Sequence, residues 1–242
     1  MDAIYRTIAS VVMTLMAAMG IQVPPATWQL QAMPDGTTVA LTISDHPHST
    51  HGMSASIGQF DGLKALLPTS AQARFRLKRD AGTFEFDGVL RSGAGGGTME
   101  FVPSDTFGIE LAKRGFAKPS RVEQMKMAWH DTGFAFIDEL GAKKYQRPTL
   151  EQLVNAGDHA VDRMYVREFS DLGYQLGSVD ALIRLHDHGI DGRYIRELRA
   201  IGYRLTADEL VAAHDHGVTT TYAKQRAPAS IAQLISLHDH GH

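Results

Sequence analysis

The sequence predicts an α+β protein, in which an antiparallel β-meander is followed by a solenoid-like array of α-helical hairpin repeats. Two observations predict this class. Apolar residues alternate with a period of two from Trp28 to about Val102, a pattern typical of half-buried strands. From Ser120 onward, one set of helix signals recurs about every 28 residues, which is typical of stacked helical units. At 242 residues the chain is long enough to bury a core in each part.

The β-module is expected to span residues 28–102 and to contain five or six strands. The alternation is clearest in two stretches, Val39-Leu41-Ile43 and Ala73-Phe75-Leu77. Turn signals such as Pro34-Asp35-Gly36 and Asp80-Ala81-Gly82 separate the stretches. Because these connections are short, neighbouring strands are expected to be antiparallel.

A glycine-rich run from Ser92 to Gly97 interrupts the strands. Such a run can cradle a phosphate, but that function needs a following Lys-Ser/Thr pair and a helix N-terminus. Here a strand pattern follows the glycines. The run therefore predicts a flexible hairpin tip.

A connecting helix is expected within residues 103–119, and tandem helical-hairpin repeats within residues 120–242. Five residues resemble helix N-caps at the repeat spacing: Ser120, Thr149, Ser178, Thr206 and Ser230. In four units a Glu or Gln three residues later completes a capping box. Asp162 and Asp191 are expected to cap a second helix in their units. Helices of about ten residues are not stable alone, so the units must stack.

A histidine follows each N-cap by ten residues, at His130, His159, His188, His216 and His240. The spacing places each one at the end of a helix. There an imidazole can donate to unpaired carbonyl groups and complement the negative end of the helix dipole. Gly189, Gly217 and Gly241 follow three of them, as expected for the left-handed residue that ends a helix.

Composition excludes several classes of function. The net charge is −3, and Lys and Arg are scattered along the chain, so neither nucleic-acid binding nor polybasic membrane binding is indicated. The sequence has no cysteine, which excludes disulfides, thiolate catalysis and sulfur-based zinc sites. No G-x-S-x-G elbow or paired-carboxylate pocket is visible, so the protein is not expected to be an enzyme.

Residues 1–22 carry an apolar run of 13 residues, Ile8 to Gly20, which follows Arg6. The run is shorter than the apolar stretch that a transmembrane helix normally needs. Its length and its small residues predict a signal peptide, or an N-terminal anchor if the segment is retained. A periplasmic or secreted location is therefore expected, with contact to a membrane only through this segment. A cytoplasmic location is the alternative.

The stretch from Arg76 to Phe116, followed by units such as LIRLHDHGIDGRYIRELRAIGY, resembles an uncharacterised bacterial family. In that family a small β-module precedes helical repeats of the form HG(V/I)…Y(I/V)REL..(I/L)GY. Similar modules form extracytoplasmic tails of membrane metallopeptidases that resemble β-lactam sensors, and also occur as standalone exported proteins. The resemblance covers roughly residues 28–242 and implies export and a non-catalytic role. The metallopeptidase motif H-E-x-x-H does not occur in this chain.

Histidine is frequent, with 12 residues in the chain, and this suggests a metal site. Three His-Asp-His triplets and the last residue supply the candidate ligands His186, His188, His214, His216, His238, His240 and His242. A second candidate cluster is His46, His48 and His51. Zinc, nickel or copper(II) would suit imidazole and carboxylate ligands. Residues two apart on a helix point in nearly opposite directions, so each triplet offers its two rings to different faces.

The leading functional prediction is a non-catalytic, exported binding protein that uses the repeat surface, in envelope sensing or regulation. It requires no cofactor, and its partner is expected to be a protein. The alternative is a histidine-rich protein that binds or senses a divalent metal ion. A second alternative is an enzyme of unrecognised type.

Overall fold

A computed structural model describes residues 25–44, 50–227 and 229–240. It confirms the α+β class, with an antiparallel sheet followed by a series of helices. The chain divides into two compact units. The β unit contains the described residues up to Lys78 together with Phe84–Val102, and the helical unit contains Arg79–Thr83 and the described residues from Pro103 onward.

The described part of the β unit forms one sheet of seven strands, in the order β3-β2-β1-β7-β6-β5-β4. The strands are β1 (Ala26–Ala32), β2 (Thr38–Ser44), β3 (Thr50–Ser56), β4 (Phe60–Asp61), β5 (Ser70–Arg79), β6 (Gly82–Arg91) and β7 (Ala94–Pro103). A 3-10 turn, Ile57–Gln59, and helix α1 (Leu63–Leu66) lie between β3 and β5. The predicted count of five or six strands was too low, because a strand as short as β4 shows no alternation.

Alternate residues of the strands supply the core of the β unit, as the period of two predicts. Leu41 and Ile43 are buried on the face of β2 that also carries Val39. The rings of Phe75 and Phe86 stack at 4.7 Å, and Trp28 meets Phe75 edge-on at 5.1 Å. Aromatic contacts of this kind add to the free energy gained from burial.

The glycine run forms a hairpin tip only in its first two residues, so the prediction was correct for Ser92 and Gly93 and wrong for Gly95–Gly97. The turn between β6 and β7 contains only Ser92 and Gly93, and Gly95–Gly97 lie within β7 and pair with β1. A Cβ atom on Gly97 would overlap the carbonyl oxygen of Asp87, and one on Gly95 would overlap that of Val89. The glycines therefore allow the backbones of β6 and β7 to approach closely.

The helical unit begins with α2 (Phe107–Lys113), which lies in the predicted connecting segment. The first helices of successive repeats are α3 (Arg121–His130), α5 (Leu150–Asp158), α7 (Val179–Asp187), α9 (Ala207–Asp215) and α11 (Ile231–Asp239). The second helices are α4 (Phe134–Ala142), α6 (Arg163–Asp171), α8 (Gly192–Ala200) and α10 (Thr220–Arg226). Helix α5 packs against both α3 and α7, and α4 packs against α6. Successive units therefore stack in sequence order.

The predicted helix caps are confirmed. Complete capping boxes begin at Ser120, Thr149, Thr206 and Ser230. The Ser178 side chain accepts from the backbone N–H of Ala181, and Asp162 and Asp191 cap the second helices as expected. These local signals could be read correctly because each cap involves residues only three apart.

The turn between β5 and β6 is hydrogen-bonded to the first repeat. The side-chain amide of Gln124 donates to the carbonyl oxygens of Ala81 (2.6 Å) and Ser104 (2.8 Å). The backbone N–H of Phe134 donates to a carboxylate oxygen of Asp80 at 2.9 Å. Residues 79–83 therefore belong with the helices, although the sequence pattern places them in the β-module.

The predicted signal segment, residues 1–22, lies outside the described residues. Within the described part of the chain, every helix is too short or too polar to cross a bilayer.

Candidate functional site

In the first four repeats, the histidine at the end of the first helix contacts the aspartate that ends the next first helix. In three of these pairs the histidine Nδ1 atom lies within hydrogen-bond distance of the carboxylate. The three pairs, which we call the His–Asp rungs, are His159–Asp187, His188–Asp215 and His216–Asp239, each with a closest distance of 2.8 Å. In the first repeat, His130 Nε2 lies 3.4 Å from Asp158.

The predicted position of these histidines is confirmed, but the predicted partner is wrong for three of them. His159, His188 and His216 are the C-cap residues of their helices, yet each contacts a carboxylate of the next repeat. His240 contacts a carbonyl oxygen of its own helix, that of Ser236 at 2.7 Å. An Asp in the next repeat is the stronger acceptor because it carries a charge.

The earlier histidine of each triplet contacts a tyrosine of the preceding second helix. The rings of His186, His214 and His238 meet Tyr165, Tyr194 and Tyr222 edge-on, at centroid distances of 5.2, 5.4 and 5.0 Å. His214 also covers Gly189, where a Cβ atom would lie 2.9 Å from the ring. Gly189 therefore has two roles, because it ends a helix with a φ of +70° and leaves room for this ring.

Two of these tyrosines also donate hydrogen bonds across the junctions between repeats. Tyr165 donates its hydroxyl to the carbonyl of Ile190, and Tyr194 donates to that of Val218, both at 2.8 Å. Burial raises the pKa of Tyr165 strongly and raises that of Tyr194 to about 12. Both hydroxyls therefore remain protonated, and able to donate, well above neutral pH.

On the second helices, a glutamate and an arginine link successive repeats. Arg167 donates to the buried carboxylate of Glu139 (2.6 Å), and Arg196 donates to Glu168 (3.0 Å). At the next junction the hydroxyl of Thr220 donates to Glu197 at 2.8 Å. The hydrogen bond from Arg167 lowers the pKa of Glu139, so this carboxylate stays charged at neutral pH.

Two equivalent clefts lie at successive junctions, and we call them the junction clefts. The first has a volume of about 490 Å³ and the second about 460 Å³. Four aligned positions line both: the N-cap Asp, the Tyr, the Glu and the earlier His of the next triplet. These residues are Asp162, Tyr165, Glu168 and His186 in the first cleft, and Asp191, Tyr194, Glu197 and His214 in the second.

A larger cleft, of about 710 Å³, lies on the β unit among β4, β5, β6 and β7. Two pairs of opposite charge lie in its lining, Arg74 with Asp87 at 2.6 Å and Arg76 with Glu85 at 3.1 Å. Asp61 and Glu100 also line it. The described residues that line this cleft all belong to the β unit, and none of the described candidate histidines is among them.

The candidate metal ligands do not come together in the described part of the chain. No group of three or more His, Asp or Glu side chains is placed there to hold one ion. The first histidine of each triplet contacts a tyrosine and the second contacts an aspartate or a carbonyl group, as the opposite directions of the two rings predict. His51 lies on β3 opposite Ile43, while His46, His48 and His242 lie outside the described residues. Zinc, nickel or copper(II) binding stays a prediction, which calorimetric titration of untagged protein can test.

The rungs themselves could have been found in the sequence. Each triplet contains an Asp directly before the helix-ending His, and stacking in register brings that Asp against the His of the previous repeat. The junction clefts could not have been found, because they depend on the distance between stacked helices.

The rung between His188 and Asp215 is expected to contribute modestly to stability. Both side chains are about two-fifths exposed, and exposed ion pairs contribute about 0.2–1 kcal/mol. A double-mutant cycle with His188→Ala and Asp215→Ala should therefore give a coupling of about 0.5 kcal/mol in urea unfolding. As a control, the same cycle with His240→Ala and Asp215→Ala should give no coupling. Equal coupling energies in both cycles would contradict a direct interaction between His188 and Asp215.

Comparison of the chain with protein-family models, with curated proteins and with solved structures finds no match. The resemblance to the bacterial repeat family therefore stays a prediction.

Proposed function

We propose that this protein is a non-catalytic binding protein, and that its helical unit holds an extended segment of a partner protein across the junction clefts. The observation that carries this proposal is the recurrence of the same four residue types in clefts of nearly equal volume at two successive junctions. Stacked repeats commonly present such surfaces to extended partners.

The charges that line the clefts favour a basic segment. Asp162, Glu168 and Asp171 line the first cleft with Arg167 as the only arginine or lysine of the lining. Arg196 and Lys143, which lie outside the lining, pair with Glu168 and Asp171. Two carboxylates and one arginine line the second. Lys or Arg side chains of a partner would meet complementary charge at both positions.

The distance between the clefts suggests how the basic residues would be spaced along such a segment. Stacked helices lie about 8–10 Å apart. A polyproline II segment rises about 3.1 Å per residue and turns once in about three residues. Side chains three residues apart in such a segment therefore point the same way about 9 Å apart. A basic residue at every third position would place one cation in each cleft.

Synthetic peptides test this proposal directly. We expect a fluorescent peptide with Lys at every third position to bind at least about tenfold more tightly than one of equal charge with Lys at every fourth position. A peptide with Glu at every third position should not bind. The measurement is fluorescence anisotropy at physiological salt. Equal affinity for the two Lys peptides would contradict the proposed spacing, and no binding to either would contradict the basic partner.

A pair of substitutions at exposed positions locates the site. Met164 lines the first cleft and is 63% exposed, whereas Val122 is 60% exposed and lines neither cleft. Met164→Lys should lower the affinity for the peptide with Lys at every third position about tenfold, because the new cation repels the peptide. Val122→Lys should leave this affinity unchanged. A loss of the same size in both variants would show that the peptide binds elsewhere or through net charge alone.

Export belongs to this proposal because residues 1–22 have the pattern of a signal segment. Protein recovered from the cells that make it should have a mass lower than 26.5 kDa if the segment is removed. An intact mass together with membrane association would instead indicate an anchor.

A further inference from the structure

The two edges of the sheet in the β unit differ in how they are protected. Edge strands expose unpaired backbone groups, and proteins usually protect them with charges, prolines or short strands. At one edge, β4 has only two residues, and the Asp61 carboxylate lies 2.8 Å from Lys78. At the other edge, β3 has seven residues, THGMSAS, with no Lys, Arg, Asp, Glu or Pro. The β3 edge therefore carries none of these protective features.

The directions of the backbone groups along β3 follow from its pairing with β2. The backbone N–H of Ile57 donates to Thr37 at 2.9 Å, and hydrogen-bonded pairs alternate along an antiparallel ladder. His51, Met53 and Ala55 therefore bond to β2. The backbone groups of the alternate residues point away from β2, at Thr50, Gly52, Ser54 and Ser56. Because β3 ends the sheet, no strand of the described residues pairs with these groups.

The apolar face of the sheet is also incompletely covered at β3. Leu41 and Ile43 of β2 are each 1% exposed. Their neighbours on β3, Met53 and His51, are only half-buried. One additional strand beside β3 would cover Met53 and would satisfy the outward backbone groups.

We propose that this additional strand is β3 of a second copy of the chain, paired antiparallel about a two-fold axis through Met53. This register places Gly52 opposite Ser54 and Thr50 opposite Ser56 of the second copy. It uses all the outward backbone groups, and each of these pairings supplies two hydrogen bonds. The two Met53 side chains face each other, and the pairing repeats the same surface on both copies, as a two-fold interface requires.

The chemistry of the strand favours a second copy over a charged partner. Like charges directly opposite each other destabilise a strand pair, and β3 has no Lys, Arg, Asp or Glu to repel its copy. The residues on its exposed face are Thr, Gly, Ser and Ser, which are small enough to pack together. Because one strand pair buries less surface than a standard interface, we expect dissociation constants in the micromolar range.

Sedimentation velocity of the full chain tests the proposal at concentrations from about 1 to about 200 μM. We expect the wild type to shift from one copy toward twice 26.5 kDa as its concentration rises. Ser54→Pro removes an N–H that points away from β2, so it should abolish the dimer without removing a bond to β2. Ser54→Lys places two cations diagonally across the axis and should weaken the dimer at least about tenfold.

The control for charge is Gln29→Lys, on the exposed face of the central strand β1, and this variant should dimerise like the wild type. Hydrogen exchange provides a second readout that does not depend on a variant. The amides of Gly52 and Ser54 should become protected as the concentration rises. A wild type that remains monomeric throughout, or a dimer that survives both Ser54 substitutions, would overturn the proposal.

Discussion

Replacing Gly97 with alanine is expected to lower the free energy of unfolding of the β unit by about 3 kcal/mol or more. The new Cβ atom would overlap the carbonyl oxygen of Asp87 and approach the Cα atom of Gly88. Both are backbone atoms, so no side-chain rotation can relieve the overlap. The strands β6 and β7 would have to separate. This movement would also disturb the hydrogen bond from Trp28 Nε1 of β1 to the carbonyl oxygen of Asp87 in β6 (3.1 Å).

Gly52→Ala provides the matched control. Gly52 also lies in a strand, but the nearest atom to its added Cβ is the Thr42 hydroxyl at 3.9 Å. This substitution should be neutral or stabilise the β unit by up to about 1 kcal/mol, because alanine has fewer unfolded conformations than glycine. Urea unfolding followed by tryptophan fluorescence measures both effects. If the two variants unfold at the same urea concentration, the close approach of β6 and β7 does not limit stability.

Leu185→Ala is expected to destabilise the helical unit by about 3 kcal/mol. Leu185 is 1% exposed in α7, between the flanking repeats. Removing its side chain loses apolar burial and leaves a cavity that the stacked helices can fill only in part.

The matched control is Leu237, the equivalent leucine of α11, which is the first helix of the last repeat. Leu185 lies seven residues after the N-cap Ser178, and Leu237 lies seven residues after the N-cap Ser230. Leu237 is 38% exposed, so Leu237→Ala should cost less than about 1 kcal/mol. Urea unfolding followed by circular dichroism at 222 nm compares the two. Equal losses would contradict the expectation that burial between repeats, and not helix propensity, stabilises the array.

The sequence predicts the helical unit well because its signals are local. The capping box at Thr149 and the left-handed Gly189 each involve neighbouring residues, so they can be recognised without knowing the tertiary structure. The alternation in β2 is similarly clear, because one face of this strand is buried and the other is not.

Features that depend on contacts between distant segments were predicted less well. His188 was expected to donate to a carbonyl group of its own helix, but stacking brings Asp215 within 2.8 Å. The glycines of β7 resemble a loop because glycine is common in turns, and only the approach of Asp87 explains them. The partners of His214 were also unpredictable, since its contact with Tyr194 crosses a junction between repeats.

The His–Asp rungs tolerate differences in the length of the repeat. Successive rungs join residues 28, 27 and 23 positions apart, and the shortest spacing falls where residues around 228 shorten the second half of a repeat. The contacts at a junction thus depend on which helix of the next repeat faces the junction. They do not depend on the number of residues that separate the two partners in the sequence. Excision of residues 178–205 as one block would bring Asp215 to His159, Val218 to Tyr165 and Thr220 to Glu168. The rung and the tyrosine contact would form again, and Thr220 would replace Arg196 at Glu168, as it already contacts Glu197. The array could therefore be shortened or duplicated by whole units without redesigning a junction.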